Sequence, residues 1–365
     1  MRICFFADAR NRHVRRLAPG LANRGHQVHC VGHKPLDLPG VTSEVYRVPP
    51  PGLSMPYRWL GRREAYLRTF LCRFDVVVVY FLHDWGFRPE WIGEGCFVAS
   101  PRGSDIVPPP GESPPTADLV AERIAILRNA ALVGVAGPSF AQIVAKHAGL
   151  SPEQIGLLPL GVDLQQFNPL AESDRPRDSL RRVGFFKGFR EVYGAVDLVR
   201  AIPIVAKRLP DVRFDFVGEG PTLPNCRRLA EKLGVSEKCQ WLAPVMHEKI
   251  PELLRGWMVT AMPSRCESFG LAALESAAMT VPVVAYDVGG IRDTVQDGKS
   301  GLLAPPGDVE ALAQGLLRLL SDEELRQRLG NWGREWVRDQ FEWGAVLRQW
   351  EESLLQARER VSIAV

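Results

Sequence analysis

Asp75-Val-Val-Val-Val-Tyr80 is apolar at every position between its two polar ends. An extended run of this kind has no face that can be left in water. It must be covered on both sides, which predicts a parallel sheet with helices packed above and below it. The flanking sequence repeats the theme. Before it, Arg2–Ala7 and Gln27–Val31 read as strands, with a helical pattern over Val14–Asn23 between them. After it, Cys96–Ser100, Leu132–Val135 and Ile155–Leu158 read as strands, with helices at Asp118–Asn129 and Ser139–His147.

The alternation stops at Asp163–Arg182, which is polar, carries two prolines and lacks periodicity, as a linker would. It then restarts. Arg182–Phe186, Arg213–Val217, Cys239–Leu242, Met258–Met262 and Val281–Ala285 read as strands; Ala195–Arg208, Leu223–Leu233, Ile250–Arg255 and Phe269–Ala278 read as helices. From Val309 the chain is mostly helical, ending in Trp343–Val361 with an apolar stripe of Trp343, Val346, Leu347, Trp350, Leu354 and Leu355. The expected organisation is therefore two Rossmann-like α/β domains, residues 1–165 and 166–342. A final helical segment, 343–365, is long enough to return to the first domain. In such sheets, ligands bind beyond the carboxyl ends of the strands.

Composition narrows the function classes. At 365 residues the chain is the right size for two domains, and 46% apolar with 24% charged residues is ordinary for a globular protein. A formal charge of only +3 creates no global field for nucleic acid. The seven cysteines are odd in number and form no CxxC pair, which suits free thiols in a reducing, cytoplasmic setting. No secretory leader is expected, and no run approaches the ~20 apolar residues that span a bilayer. Arg58-Trp-Leu-Gly-Arg-Arg-Glu-Ala-Tyr-Leu-Arg68 is basic and amphipathic. It is read either as a solvated helix face or as a peripheral contact with the inner face of an anionic membrane, through residues 58–68.

The stretch that carries chemistry is Pro263-Ser-Arg-Cys-Glu267-Ser-Phe-Gly270-Leu-Ala-Ala-Leu-Glu275. It follows a strand and opens a helix, with one carboxylate before the helix and one inside it. Glu275 lies roughly 9 Å along the axis from Phe269 at the ordinary helical rise. The amides of Phe269, Gly270 and Leu271 lie at the helix start, where unpaired N–H groups and the dipole favour an anion. A nucleotide diphosphate sugar presents matching groups: sugar hydroxyls, a diphosphate, then ribose hydroxyls. Two glutamates at this spacing, taken alone, favour the plainer reading of a helix cap and a solvated helical carboxylate.

The surrounding phrase reverses that in favour of a site for a sugar nucleotide. Pro263-Ser264, Glu267-Ser-Phe269-Gly270, Glu275-Ser-Ala-Ala278, Pro282-Val-Val-Ala285, Gly289-Gly290 and Asp297-Gly-Lys-Ser-Gly301-Leu-Leu303 occur in order over about forty residues. In this the chain resembles the retaining GT-B glycosyltransferases of family 4, the glycosyl transferases of group 1. The first half is similar to that family as well, in Met1-Arg-Ile-Cys-Phe-Phe, Arg24-Gly-His26, Arg102-Gly-Ser-Asp105 and Leu157-Leu-Pro-Leu-Gly161-Val-Asp163. The fit is weakest between Leu36 and Phe74.

The resemblance implies a GT-B fold, two Rossmann-like domains facing a cleft, and transfer of a sugar from a nucleotide diphosphate sugar with retention. The acceptor would be a cell-surface glycan, a lipid-linked intermediate or a small molecule. No cofactor and no metal are implied, and no Asp-x-Asp follows a strand end. By the resemblance, Glu267 holds the donor sugar, the Phe269–Leu271 amides face sugar and diphosphate, and Glu275 binds ribose. Lys187, in the loop after Arg182–Phe186, is the candidate cation for the diphosphate, with Arg190 and then Arg265 behind it. The chain departs from the family in having Val192 where a lysine is common, Arg102 where many relatives have histidine, Asp293 for a glutamate and Thr280 for a glycine. From the first domain, His83 and Asp105 are candidates to act on the acceptor, and His13 is a further one. Two other functions stay open: a nucleotide-sugar epimerase of the same fold, and a non-enzymatic sugar-nucleotide sensor. A nicotinamide dehydrogenase is disfavoured because no G-x-G-x-x-G follows the first strand.

Overall fold

The computed structural model describes residues 1–8, 11–32, 34, 37–45, 57–82, 86–109, 111, 113–169 and 180–364, and the side chains of 57–63 and 364 are outside that description. The chain forms two compact units. The first comprises Met1–Pro108, Ser113–Leu160 and Val346–Val365; the second comprises Gly161–Ala345 with Pro109–Glu112.

The first unit is a parallel sheet of seven strands: β1 (Arg2–Phe6), β2 (Gln27–Gly32), β3 (Val41–Val45), β4 (Val76–Tyr80), β5 (Phe97–Ser100), β6 (Leu132–Val135) and β7 (Ile155–Leu157). Their order is β3-β2-β1-β4-β5-β6-β7. The all-apolar run is thus a central strand, and all five of its residues are buried. β1 and β5 flank it, with Phe5 opposite Val78 and Val98 also opposite Val78. Helices α1 (Val14–Ala22), α2 (Tyr57–Leu71), α3 (Ala117–Asn129) and α4 (Pro138–Ala148) connect the strands. β3 was not expected from the sequence. It is a half-exposed edge strand, Val-Thr-Ser-Glu-Val, with too little apolar character to stand out from a loop.

The second unit repeats the plan. Strands β8 (Arg181–Phe185), β9 (Val212–Val217), β10 (Cys239–Leu242), β11 (Val259–Met262), β12 (Val283–Tyr286) and β13 (Gly301–Ala304) form a parallel sheet in the order β10-β9-β8-β11-β12-β13. Its helices are α5 (Ala195–Arg208), α6 (Leu223–Lys232), α7 (Ile250–Arg255), α8 (Leu271–Ala278), α9 (Ile291–Thr294), α10 (Val309–Ser321) and α11 (Glu323–Phe341). Both sheets reverse strand order beside their first strand, the switch point at which α/β sheets open a ligand crevice. The core of this unit is aromatic, with Phe185, Phe189, Phe214 and Phe216 fully buried. β9 supplies Phe214 and Phe216 from alternate positions, as the two-residue period requires, while Phe185 ends β8 and Phe189 follows it in the loop.

The last helix, α12 (Trp343–Ala364), enters the first unit from Val346 onward. Its apolar stripe explains the docking. Trp350 is fully buried, its ring lies beside Tyr80, and its Nε1–H donates to the Pro159 carbonyl at 3.0 Å. The Arg102 guanidinium sits 4.5 Å from the Tyr80 ring centroid and 5.3 Å from that of Trp350. At the next residue, the Glu351 carboxylate accepts hydrogen bonds from Arg24 Nε at 2.6 Å and from His26 Nε2 at 2.7 Å.

Candidate functional site

The site is built on the loop between β11 and α8 in the second unit. Helix α8 is buried at all eight of its residues, an arrangement possible only because Leu-Ala-Ala-Leu-Glu-Ser-Ala-Ala is small and mostly apolar. Its entry is Gly270, with φ at 91°, a left-handed conformation that residues with a Cβ rarely adopt. A Cβ there would also come within 2.8 Å of the Thr294 hydroxyl. Thr294 in turn donates to the Phe269 carbonyl at 3.0 Å. From the other side, Gly290 presses on the loop. Its N–H donates to the Glu267 carbonyl at 2.8 Å, and a Cβ would strike the Phe269 nitrogen at 2.3 Å. The helix start is therefore fixed by close backbone contact. Its first-turn amides, of which that of Ala273 donates to the Gly270 carbonyl at 2.9 Å, define with the helix dipole an electropositive corner.

Glu267 lies just before this corner. Its Oε1 meets Lys187 Nζ at 2.5 Å and accepts from the Ser264 hydroxyl at 3.3 Å. Lys187 follows β8, and its ammonium also lies 4.9 Å from the centroid of the Tyr193 ring. The Gly218-Glu-Gly220 loop braces the chain that carries it: Phe189 N–H donates to the Glu219 carbonyl, and Thr222 N–H to the Phe189 carbonyl. The structure thus brings together two of the candidates, Lys187 and Glu267, from positions eighty residues apart. Burial, then the neighbouring Glu267 charge, push the Cys266 thiol above its ordinary value.

Glu275 lies one turn further along α8 and is 2% exposed. Its Oε1 pairs with His247 Nε2 at 2.7 Å. His247 was not singled out in the sequence, because a contact across 28 residues leaves no spacing signal. Phe269 and Leu271 are buried at the helix start, Phe269 edge-on to Phe341. Arg190 is exposed at the turn leading into 191–193. Arg265 is bound to Asp197 at 3.0 Å, and its backbone N–H donates to Val192.

In the first unit, Asp105 is completely buried. Its carboxylate accepts the backbone N–H groups of Leu82 at 2.8 Å, Arg102 at 2.9 Å and Gly103 at 2.7 Å. That is the geometry of a clamp joining two loops. His83 lies outside the described residues. His13 is half-buried at the start of α1, with its N–H bound to the Asn11 side chain. The 58–68 stretch lies within α2, whose described side chains begin at Glu64. Among the described residues, no group of three or more His, Cys, Asp or Glu is placed to hold a metal ion. Among them, too, no helix is long and apolar enough to cross a membrane.

Comparison with known proteins adds to this geometry. The family described as Glycosyltransferase Family 4 matches residues 11–166, and that described as Glycosyl transferases group 1 matches residues 171–336. The chain is a GT-B protein related to these two glycosyltransferase families. Over 190 residues this GT-B chain is 35% identical to D-inositol 3-phosphate glycosyltransferase of Corynebacterium urealyticum, an alignment covering 47% of this chain and 44% of that protein. It spans about half the length of the curated relatives it matches first. Among solved structures, sucrose-phosphate synthase from Thermosynechococcus elongatus is similar with a TM-score of 0.80 and 23% identity, over 98% of both chains. Anabaena HepE in complex with UDP-glucose is similar with a TM-score of 0.74 and 18% identity, over 98% of this chain and all of that one. These likenesses establish the GT-B fold.

Proposed function

We propose that the chain transfers a sugar from a nucleotide diphosphate sugar to a hydroxyl-bearing acceptor, with retention at the anomeric carbon and without a metal ion. The observation that carries this reading is the Lys187–Glu267 pair set just before the first turn of α8, with buried Glu275 eight residues on. The order of groups suits the order of the donor. Glu267 would accept the sugar hydroxyls, Lys187 and the α8 amides would meet the diphosphate, and Glu275 would hold the ribose. Kinship with glycosyltransferases and likeness to a structure holding UDP-glucose support it.

The chemistry asked of these residues is electrostatic. As the glycosidic bond to the donor breaks, negative charge develops on the leaving diphosphate. A cation and fixed N–H dipoles stabilise that charge without reorganising. Lys187 is already aligned by Glu267 and Tyr193, so its position is set before the donor arrives. Retention follows from attack on the face the diphosphate leaves, with a phosphate oxygen taking the acceptor proton; no protein nucleophile is required. The free cysteines support a reducing, cytoplasmic setting. A test is to screen UDP, GDP and ADP sugars for nucleotide release, then read the anomeric configuration of the product by NMR. Release of nucleotide with an inverted product would overturn the retaining mechanism. Conversion to an epimeric sugar nucleotide without acceptor would overturn transfer itself.

A further inference from the structure

We infer that His247 is a positioning residue for nucleotide recognition: it orients the Glu275 carboxylate so that one oxygen is left to the ribose of the donor. The inference rests on the donor-site reading above and deepens it. Glu275 stands on a helix with no exposed residue, and an ionised carboxylate in such a place needs a partner. Among the described residues His247 is the side chain that hydrogen-bonds it, at Oε1 and 2.7 Å. An ionised carboxylate only accepts, so Nε2 carries the proton in this pair.

His247 is itself held from two sides. Its ring lies 5.4 Å from that of fully buried Phe167, at a tilt of 53°. Its carbonyl accepts from Gln166 Nε2 at 3.4 Å. Its side chain keeps 22% exposure against 3% for Glu275, so the pair runs from the surface into the helix. A carboxylate with one oxygen fixed by a rigid donor cannot turn freely, and Oε2 is thereby presented in one direction. Two adjacent ribose hydroxyls are donors suited to such an acceptor. A packing residue would explain the ring contact with Phe167 but not the hydrogen bond to the one buried acid of α8.

The probes are UDP, GDP and ADP with their 2′,3′-dideoxy forms, titrated calorimetrically against the full chain. Wild type should prefer the ribose forms. His247→Phe keeps a ring against Phe167 and removes the donor. It should lower affinity for the ribose form about tenfold, the worth of one charge-assisted hydrogen bond, and leave dideoxy affinity unchanged. His247→Gln, with an N–H near the place of Nε2, should recover most of the preference, and turnover at saturating donor should change little in either variant. A double variant with Glu275→Gln should discriminate no worse than Glu275→Gln alone. If His247→Phe keeps the ribose preference, or loses both forms alike, the positioning role is overturned. If Glu275→Gln keeps the preference, or wild type binds none of the three nucleotides, the donor-site reading falls and takes this inference with it.

Discussion

Asp105 and Glu275 are both acids removed from water, with 0% and 2% exposure, and each lies after a parallel strand of its own sheet. Their partners differ. Asp105 accepts three backbone N–H groups, from Leu82, Arg102 and Gly103. Glu275 meets one side chain, His247. An acid satisfied by backbone amides is spent on holding the chain in shape, because its acceptor capacity is taken wherever the loops go. An acid met by one side-chain donor retains capacity for something else. Burial alone does not separate a structural carboxylate from one that addresses a ligand; the identity of the donors does.

The contrast makes predictions that differ in what they damage. The largest effect is expected for Asp105→Ala. Three buried N–H groups lose their acceptor, and stability should fall by about 4–5 kcal/mol in denaturant titration. A variant that melts like wild type but loses turnover would make Asp105 a reacting group and erase the distinction. Next comes Glu267→Gln, which leaves Ser264 a partner but removes the charge facing Lys187. Turnover should drop by roughly 10²-fold, as for loss of one preorganised electrostatic contact, while nucleotide affinity changes far less. Equal losses in both would move Glu267 from the chemistry to simple binding.

Glu275→Gln should do the reverse, weakening nucleotide binding by ~1.5–3 kcal/mol with little loss of fold. If it instead unfolds the chain as Asp105→Ala does, the two acids are alike after all. The smallest effect is expected from excess chelator, which should leave turnover intact because Lys187 and the α8 amides meet the diphosphate charge. Loss of activity in EDTA, restored by Mg²⁺ or Mn²⁺, would show that this charge is met in another way.

The strands announced themselves where both faces were apolar. Val76–Val79 could only be a covered strand, and the repetition of such runs made two parallel sheets the consistent architecture. β3 was silent because an edge strand needs apolar residues on one side at most. The helix-start phrase was legible for a similar reason: Gly270 and Gly290 meet backbone that admits no side chain, so the residues there are narrowly constrained. Asp105 was legible as a residue but not as a clamp. Its three donors are main-chain groups, which have no letters of their own. His247 was missed altogether, since its meaning lies in a contact that only folding creates.

The seating of α12 bears on how the protein comes into being. The first unit is written in pieces, and its last piece follows the whole of Gly161–Ala345. During synthesis, Tyr80, Arg102 and Pro159 leave the ribosome well before Trp350, the residue whose ring lies beside the first two and whose Nε1–H donates to the third. A nascent first unit therefore waits with the Trp350 seat unfilled while the second unit is still being made. The helix closes the earlier unit retroactively, and the time taken to translate the second unit becomes an interval in which the first is incomplete and open to chaperones or to misplaced apolar chain.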